Sequence, residues 1–554
     1  MPTVTFPLEY LKRLTDTSPQ QLEQQAFDYG LEATLSDETL EVEVTAERPD
    51  LLAAEGFTRA INIYNGKPRT VPEQLESSGL TLRVSPEVLP LRPFIAALVV
   101  EQVNLKQGGL EALVQFQEKA TQTFGRQRKK IAIGVYDLAQ IQGDIEYGAV
   151  AKTELSFVPL LGDRPMTAQE ILTNHPSGLL YGHTLPESDR VPVLKDSAGT
   201  VLSLPPIINA QGIGEVTTDT QQLFIDVSGI SLRTVQEMVN ILAHNFLDTG
   251  AVVKTVAIAH SQGNYTTPSL ELRPVPFSAK FLNEMVGTAI PKPDLGNYLR
   301  RMDLHPTGTE VVLVPSYRTD IFSEIDIAGD LLVAVGIENL TADQSSLQFY
   351  TGRSNPLRAF MFQVGDLAQR MGLMEVKSFV LTDPDLLSEF SSSFIQTENA
   401  KSRTYSATRT TLQTGLLDIL SRNINAPKPI NIYETGEVLR LQPNQKVYET
   451  LCWSFASLDA RASFATAKAY IQTLLKALQI SYDLIECKEP RYIPGRAAIV
   501  QVNGQSAGHF GEIHPTLLNA FSFPEPVCSG ELDCQILMLS LEGDRLPQPS
   551  FVTL

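Results

Sequence analysis

Strand-like and helical segments alternate along the whole chain of 554 residues, and no segment repeats another. A single hydrophobic core stops growing at about 250–300 residues, so this chain is too long to enclose one core. We therefore expect roughly three to five domains of the α+β class. The segments predict a mixed amino-terminal domain over 1–85, an α+β domain over 88–262, a small helical or winged domain over 266–342, and a last domain over 350–554.

The last domain carries the clearest strand signals, in KPINIYETGEVLRL and AAIVQVNGQSAGHFGEI. Asn503-Gly504 predicts a tight hairpin, because both residue types accept positive φ. Leucine and isoleucine recur at helical spacing in GLLDILSRNI and AYIQTLLKALQI. An antiparallel sheet flanked by helices fits this pattern best.

The composition is that of an ordinary globular protein, with 43% hydrophobic and 19% charged residues. The formal net charge of −19 argues against a large basic surface that binds a polyanion without help. One basic run, Arg126 to Lys130, could contact phosphates, and a solvated helix end is the alternative. No run of about 18 apolar residues suggests a membrane span, and no signal peptide is apparent, so we expect a cytoplasmic protein. The four cysteines lack CxxC spacing and are expected to be buried free thiols.

The segment 314–340 places three carboxylates around the start of one helix. Asp320 precedes the first turn, and Asp326 and Asp330 stand four residues apart on one helical face. Like charges at this spacing repel, and a cation would neutralise them. Oxygen ligands favour Mg²⁺ or Ca²⁺ over zinc. The alternative interpretation is a solvated acidic helix face.

A second candidate site combines a bent strand with a polar strand face. Two prolines in the segment 202–209 remove two backbone donors, which predicts an edge strand or a bend. In the segment 224–229, strand alternation sends Asp226 and Ser228 to the same face. Such a pair could hold an attacking water or a substrate amine, and a hydrogen-bonded structural pair is the alternative.

Several motifs, in this order, resemble the β subunit of phenylalanyl-tRNA synthetase of the archaeal and eukaryotic cytosolic type. The resemblance extends over nearly the whole chain. It rests on Arg48, Asp50, Glu55, Gly56 and Arg59; on SLPPIIN at 203–209 with FIDVSG at 224–229; on YRTDI at 317–321 with Asp326 and Asp330; on RTTL at 409–412; on IYETGEV at 432–438; and on PGRAA at 494–498 with GEIHP at 511–515.

The resemblance implies a subunit of an α2β2 enzyme that uses ATP and Mg²⁺ to join phenylalanine to its tRNA. It implies that the last domain is a class II synthetase-like fold without an active site, and that ATP binds at the α subunit. For the domain over 88–262 it implies hydrolytic editing of Tyr-tRNA, with Ser203, Asn209, Asp226 and Ser228 as the candidate catalytic residues. It also implies a Mg²⁺ site at Asp320, Asp326 and Asp330, which the α subunit could share.

A second interpretation belongs to another functional class. The chain departs from the family pattern at Glu47, where the family has Asn, and at Gly329, where it has an acidic residue. These departures, with the acidic charge balance, keep open a repurposed paralogue that acts as a stand-alone aminoacyl-tRNA hydrolase or as a non-catalytic binding protein.

Overall fold

The computed structural model describes residues 2–67, 69–308, 310–341, 351–441 and 446–542. The chain forms two compact units, residues 1–345 and 346–554. Both mix helices and sheets, so the predicted α+β multidomain class is confirmed. Among the described residues, no helix is both long and apolar enough to cross a membrane.

The first unit begins with a three-stranded sheet covered by short helices. Leu40 and Val42 lie on the central strand of this sheet, Thr39–Glu43. Ser18 and Gln21 form a reciprocal capping box that begins the second helix. The elements are β1 (Thr3–Pro7), α1 (Leu8–Leu14), α2 (Pro19–Asp28), β2 (Glu32–Leu35), β3 (Thr39–Glu43) and α3 (Ala54–Tyr64).

The motif around Pro49 packs the amino-terminal part together. Pro49 is the first residue of a separate 3-10 turn, Pro49–Leu52, and α3 begins at Ala54. Gly56 lies directly against this turn, and a Cβ at position 56 would overlap the backbone carbonyl of Asp50. Only glycine fits here, because a backbone carbonyl cannot move aside as a flexible side chain can.

Replacing Gly56 with alanine is therefore expected to destabilise the first unit by roughly 2–4 kcal/mol, the range of strongly disruptive core substitutions. Gly329→Ala is the matched control, since Gly329 is exposed in a helix and a Cβ there meets nothing within 4 Å. The control should be about 0.5–1 kcal/mol more stable than the wild type. Urea unfolding of the two variants measures both effects, and equal stability of the variants would contradict the packing argument.

A large sheet fills the middle of the first unit. Its strands follow the order β12-β11-β10-β7-β4-β14-β5-β13-β6, with β15 paired to β14. The elements are β4 (Glu76–Val84), β5 (Phe94–Glu101), α4 (Gly109–Gln122), β6 (Ile131–Asp137), β7 (Ile145–Ala151), β8 (Ser156–Phe157), β9 (Met166–Thr167), α5 (Ala168–Asn174), α6 (Pro176–Tyr181), β10 (Arg190–Asp196), β11 (Val201–Leu204), β12 (Ile208–Asn209), β13 (Gln222–Gly229), α7 (Leu232–Asp248), β14 (Val252–Ala259) and β15 (Tyr265–Thr267).

This sheet extends past both boundaries that the sequence suggests for the second domain. Strand β4, assigned to the first domain, pairs in parallel with β14. Strand β15 lies beyond residue 262, the predicted end of the second domain, and pairs with β14, which lies before that residue. Parallel pairing between distant segments leaves no local sequence signal. The predicted boundary near residue 85 therefore lies after β4, although β4 belongs to the large sheet.

The large sheet curls until its two ends meet. Strands β12 and β6 lie at opposite ends of the strand order, yet the backbone N–H of Asp137 donates to the carbonyl of Ile213, just past β12, at 3.0 Å. The side-chain amide of Asn209 on β12 donates to the carbonyl of Val135 on β6 at 3.1 Å. The double-proline bend, between β11 and β12, is at the sheet edge as predicted and faces the polar side of β13.

The last part of the first unit is a small domain of three short strands and three helices. Its elements are β16 (Arg273–Pro276), α8 (Ala279–Val286), α9 (Lys292–Arg301), β17 (His305–Pro306), β18 (Val311–Val314) and α10 (Glu324–Val335). Arg59 of α3 joins this part to the others: it pairs with Asp248 of α7 at 2.5 Å and lies over the Tyr317 ring at 4.0 Å. These contacts give Arg59 a packing role within the first unit.

The second unit is built on a seven-stranded sheet in the order β19-β22-β23-β27-β26-β25-β24, antiparallel except for the pair β19 and β22. This confirms the predicted antiparallel sheet with helices. Its elements are α11 (Pro356–Arg370), β19 (Met374–Glu375), β20 (Leu381–Thr382), α12 (Pro384–Ser388), β21 (Ala407–Thr408), α13 (Gln413–Arg422), β22 (Ile430–Leu441), β23 (Val447–Leu458), α14 (Phe464–Ala477), β24 (Asp483–Glu486), β25 (Tyr492–Val502), β26 (Gln505–Ile513), α15 (Pro515–Ala520), β27 (Val527–Asp533) and α16 (Cys534–Glu542).

Two local predictions for this unit are also confirmed. Asn503 and Gly504 have φ values of 51° and 78° and link β25 to β26 as a two-residue turn. All four cysteines are buried and free. The predicted boundary between the third and fourth domains, at 342–350, lies outside the described residues.

Candidate functional site

A cavity of about 860 Å³ lies where the two ends of the large sheet meet. The four residues singled out from the sequence, Ser203, Asn209, Asp226 and Ser228, all line it. Ser203 and Asn209 come from β11 and β12, and Asp226 and Ser228 come from β13. The curl of the sheet therefore brings together residues that are far apart in strand order.

Asp226 is the buried acid of the cavity, with a residue exposure of only 2%. Tyr136 of β6 places its hydroxyl 2.7 Å from Asp226 Oδ1 and 2.8 Å from Ser203 Oγ. An ionised carboxylate only accepts, so the tyrosine proton goes to Asp226 and Ser203 donates to the tyrosine oxygen. Gly134 leaves space for this arrangement, because a Cβ at position 134 would overlap both Asp226 Oδ1 and the Tyr136 hydroxyl.

Burial raises the pKa of Asp226 to about 6, and the Tyr136 hydrogen bond and the charge of Arg92 only partly oppose this shift. A carboxylate with a pKa near neutrality is poised to take up and release a proton at physiological pH. Strongly shifted carboxylates of this kind are concentrated at functional sites.

Ser228 is held from behind by Arg92, which is 1% exposed. The arginine donates from Nε to Ser228 Oγ at 3.1 Å and from Nη2 to the Ser228 carbonyl at 2.8 Å. Because a guanidinium can only donate, the Ser228 oxygen accepts and its own proton is free to point into the cavity. Burial lowers the pKa of Arg92 to about 10, so the group is still a cation at neutral pH.

The mouth of the cavity carries the basic run of the sequence. The run follows α4, and Arg126, Gln127 and Arg128 all have positive φ. Arg128 turns inward: it donates to the carbonyls of Pro206 and Ile207 at 3.1 and 2.9 Å and lies over the Tyr181 ring at 3.9 Å. The neighbouring side chains of Arg126 and Lys129 are exposed. The run thus has one structural arginine, two cations that face solvent, and the half-buried Lys130.

Sequence reasoning missed Tyr136 and Arg92, which lie in and directly behind the cavity wall. Arg128 and His175 also line the cavity, and His175 Nδ1 accepts from the backbone of Ser177 at 3.2 Å. Tyr136 had a detectable signal, since its strand alternates and places it on the polar face. Arg92 had none, because its role depends on the non-local approach of β13.

Taken together, the cavity can activate a water molecule. Ionised Asp226 can accept a proton from water, and the Ser228 hydroxyl can donate a hydrogen bond to an oxygen that gains negative charge. The lining is otherwise mostly apolar, with a few convergent polar groups, as is typical of small-molecule sites. Hydrolysis of an ester or amide is the chemistry that these groups support best.

The three aspartates of the predicted Mg²⁺ site do not converge on a common point. Asp320 and Asp330 both pair with Arg318, each at 2.7 Å from Nη2. Asp326 instead accepts from the backbone N–H groups of Phe322 and Ser323, each at 2.8 Å, and caps α10. Within the described part of the chain, no group of three or more His, Cys, Asp or Glu side chains is placed to hold a metal ion. These residues do not fit the predicted cation, because a guanidinium already occupies the place between two of them.

Comparison with known proteins adds a second line of argument. The family model of the phenylalanyl tRNA synthetase beta chain CLM domain matches residues 344–534, and that of the tRNA synthetase B5 domain matches residues 275–337. The second range corresponds to the small domain that carries Arg318, and the first to the seven-stranded sheet with its helices.

Whole-chain relatives agree with these matches. The phenylalanine–tRNA ligase beta subunit of Pyrococcus abyssi is 31% identical over 88% of this chain and 89% of its own length. That of Methanothrix thermoacetophila is 30% identical over 97% of this chain and 100% of its own length. A crystal structure of an N-terminal fragment of the phenylalanyl-tRNA synthetase beta subunit from Pyrococcus horikoshii is 30% identical, with a TM-score of 0.57, and covers 60% of this chain and 99% of the fragment.

The fold, its two matched domains and the relatives define a polypeptide of the aminoacyl-tRNA synthetase class. Within that class the assignment is specific, since the identity extends over nearly nine-tenths or more of each relative. The chain belongs to the family of phenylalanine–tRNA ligase β subunits, of the type found in archaea.

Proposed function

We propose that this chain is the editing and tRNA-positioning subunit of a phenylalanine–tRNA ligase, and that the cavity at Asp226 hydrolyses tyrosine wrongly attached to tRNA. The observation that carries the proposal is the buried carboxylate of Asp226 beside the hydroxyls of Tyr136, Ser203 and Ser228. An aminoacyl-tRNA is an ester, and a poised carboxylate with a donor for the developing oxyanion is what ester hydrolysis by water needs.

The physical need for such a site follows from the limits of binding. A hydrophobic pocket built for a phenyl ring rejects an analogue that merely adds a hydroxyl only weakly. A separate site with polar groups can instead bind the hydroxyl of tyrosine directly. Ser203 and Asn209 are positioned for this task, since both line the cavity on the wall that faces Asp226.

In this proposal, the exposed cations Arg126 and Lys129 contact the phosphates near the end of the tRNA. They lie beside Arg128, which lines the cavity, and a phosphate contact positions a nucleic acid without reading its sequence. The net charge of −19 leaves most of the remaining tRNA contact to other parts of the assembly.

Phenylalanine activation with ATP is assigned to an α subunit, in a cytoplasmic α2β2 assembly. Adenylate formation needs cationic groups that are free to stabilise phosphate charge. In the second unit, two arginines that line a cavity on the polar face of the sheet, Arg440 and Arg491, are already paired with Glu531 at 3.0 Å and Glu489 at 3.2 Å. No Mg²⁺ on this chain enters the proposal, for the geometric reason given above.

Co-expression with the α subunit of the same genome tests the assembly. We expect a complex with the mass of two α and two β chains, and phenylalanine-dependent tRNA charging only when both chains are present. A stand-alone hydrolase would instead be monomeric and would deacylate Tyr-tRNA without a partner. A monomer with no effect on charging would contradict the subunit assignment.

A further inference from the structure

A second cavity, of about 390 Å³, opens on the polar face of the seven-stranded sheet. The opposite face of the sheet carries Trp453, Phe455 and Phe510 in one hydrophobic core with side chains of α11, α14 and α16. On the cavity side the strands contribute small residues, among them Cys452 and Gly508, so the sheet forms an open floor. Two strand residues on this floor carry the chemistry: His509 of β26 and Asp533 of β27.

A chain of hydrogen bonds determines which ring nitrogen of His509 carries the proton. Arg491 Nη1 donates to Gln413 Oε1 at 3.2 Å, which leaves the Gln413 amide nitrogen to donate to Tyr492 Oη at 2.8 Å. The tyrosine therefore accepts from Gln413, and its single proton goes to His509 Nδ1, 2.7 Å away. His509 must then carry its own proton on Nε2, as a donor on the side away from Tyr492. Burial lowers the pKa of His509 to about 3, with Arg491 and Arg440 acting in the same direction, so the ring is neutral.

Asp533 has one carboxylate oxygen in use and one free. Its Oδ1 accepts from the backbone N–H groups of Gln535 and Ile536 at 2.8 and 3.1 Å, at the start of α16. Its Oδ2 has no hydrogen-bond partner among the described residues, although the residue is only 9% exposed and lines the cavity. Burial raises the pKa of Asp533, and its two backbone hydrogen bonds and the charge of Arg440 only partly oppose this shift.

The charges around the cavity are also unbalanced. It is lined by two arginines and three carboxylates, and the histidine is neutral, so one negative charge is in excess. Arg440 pairs with Glu531, which is saturated by further bonds from Thr411 and the backbone of Leu412. Arg491 pairs with Glu489. Among the described residues that line the cavity, Asp533 is therefore the carboxylate without a direct ion pair.

We propose that this cavity binds a small primary amine that also carries a carbonyl oxygen. The ammonium group would pair with Asp533 Oδ2, and the carbonyl would accept from His509 Nε2. His509 lies opposite Glu531 in the β26–β27 register, so Asp533 is its diagonal neighbour on the same face. Diagonal neighbours are about 7–8 Å apart, a gap that two hydrogen bonds of about 2.8–3.0 Å and a ligand with nitrogen and oxygen a few bonds apart can span.

Calorimetric titration of the full-length protein with three probes tests the proposal. L-alaninamide has both groups, ethylamine has only the cation, and acetamide has only the carbonyl. We expect alaninamide to bind at least tenfold more tightly than either of the other two. The proposal is independent of the hydrolytic site, because none of the residues that line this cavity also lines the cavity at Asp226.

Two variants separate the two contacts. Asp533→Asn retains an oxygen to cap α16, and should weaken alaninamide binding at least tenfold. Tyr492→Phe releases the His509 proton from its fixed position, and should weaken alaninamide binding while leaving ethylamine unchanged. Asp483→Asn, at an exposed position on the edge strand β24, is the control for a general charge effect. No binding of alaninamide, or equal binding by wild type and Asp533→Asn, would overturn the proposal.

Discussion

Replacing Asp226 with asparagine is expected to make the protein more stable and, at the same time, to abolish its hydrolytic activity. Asparagine has nearly the same size and can still accept from the Tyr136 hydroxyl, 2.7 Å away in the wild type. It cannot take a proton from water. We expect deacylation of Tyr-tRNA to fall by about 100-fold or more, in line with the loss of a general base.

The gain in stability follows from the pKa of Asp226. In the folded protein this pKa is raised to about 6, whereas an aspartate in an unfolded chain has a pKa of about 3.9. Between these values the unfolded state loses its proton first, so stability falls as the pH rises through this window. The full cost, about 3 kcal/mol for a shift of about two units, is present above pH ~6. Asp226→Asn removes this cost, so the variant should match the wild type at pH ~4 and exceed it at pH ~7.

Urea unfolding at the two pH values and single-turnover deacylation measure the two effects on the same variant. In the wild type, deacylation should rise with pH through a midpoint near 6, as the carboxylate forms. Asp137→Asn is the control: this neighbouring aspartate caps a short turn through Ala139 and lies outside the cavity lining. A variant at Asp226 that keeps wild-type hydrolysis, or that loses stability at neutral pH, would contradict the assigned role.

Replacing Arg318 with methionine is expected to destabilise the first unit by about 3–5 kcal/mol at neutral pH, the cost of removing one partner from a buried ion pair. The Arg318 side chain is 1% exposed, and its loss leaves two nearly buried carboxylates, Asp320 and Asp330, without a counterion. Arg83→Met is the control, since the Arg83–Asp144 pair is exposed and should contribute no more than about 1 kcal/mol.

The destabilisation should depend on pH in a defined direction. Burial opposes ionisation of Asp320, but Arg318 overcomes it and lowers the pKa of Asp320 below its usual value. A lowered carboxylate pKa contributes stability that is present above the unfolded pKa and is lost as the pH falls through the folded pKa. The difference between wild type and Arg318→Met should therefore shrink below pH ~4, where an unfolded aspartate gains its proton.

Arg318 also determines what we expect at the predicted Mg²⁺ site. Because Arg318 supplies the positive charge between Asp320 and Asp330, we expect EDTA to leave the unfolding temperature of the wild type unchanged. A loss of stability in EDTA that Mg²⁺ restores would instead support the metal site implied by the resemblance. Thermal unfolding with and without chelator distinguishes these outcomes directly.

Much of the candidate site could be predicted because it obeys local rules. Alternation along β13 places Asp226 and Ser228 on one face, and the double proline after Leu204 places a bend at the sheet edge. The turn at Asn503-Gly504 follows from residue types that accept positive φ. These predictions need only the geometry of a single strand or turn.

The remaining features depend on contacts that no local pattern encodes. Tyr136 reaches Asp226 because β6 pairs with β13, and Arg92 reaches Ser228 because β5 pairs with the other edge of β13. The curl of the sheet then adds Ser203 of β11. The boundary near residue 85 failed because β4 pairs with β14, about 170 residues later in the chain. The spacing of Asp326 and Asp330 predicts that both bind one cation. In the structure Asp330 pairs with Arg318, whereas Asp326 accepts from the backbone at the amino terminus of α10.

The most direct test of the hydrolytic assignment is the single-turnover deacylation of Tyr-tRNA and Phe-tRNA, both on the phenylalanine tRNA, by the enzyme assembled with its α subunit. The assignment predicts that the tyrosyl ester is hydrolysed about 100-fold faster or more, because polar groups in the cavity bind its hydroxyl. Equal rates for the two esters, or no hydrolysis of either, would contradict it.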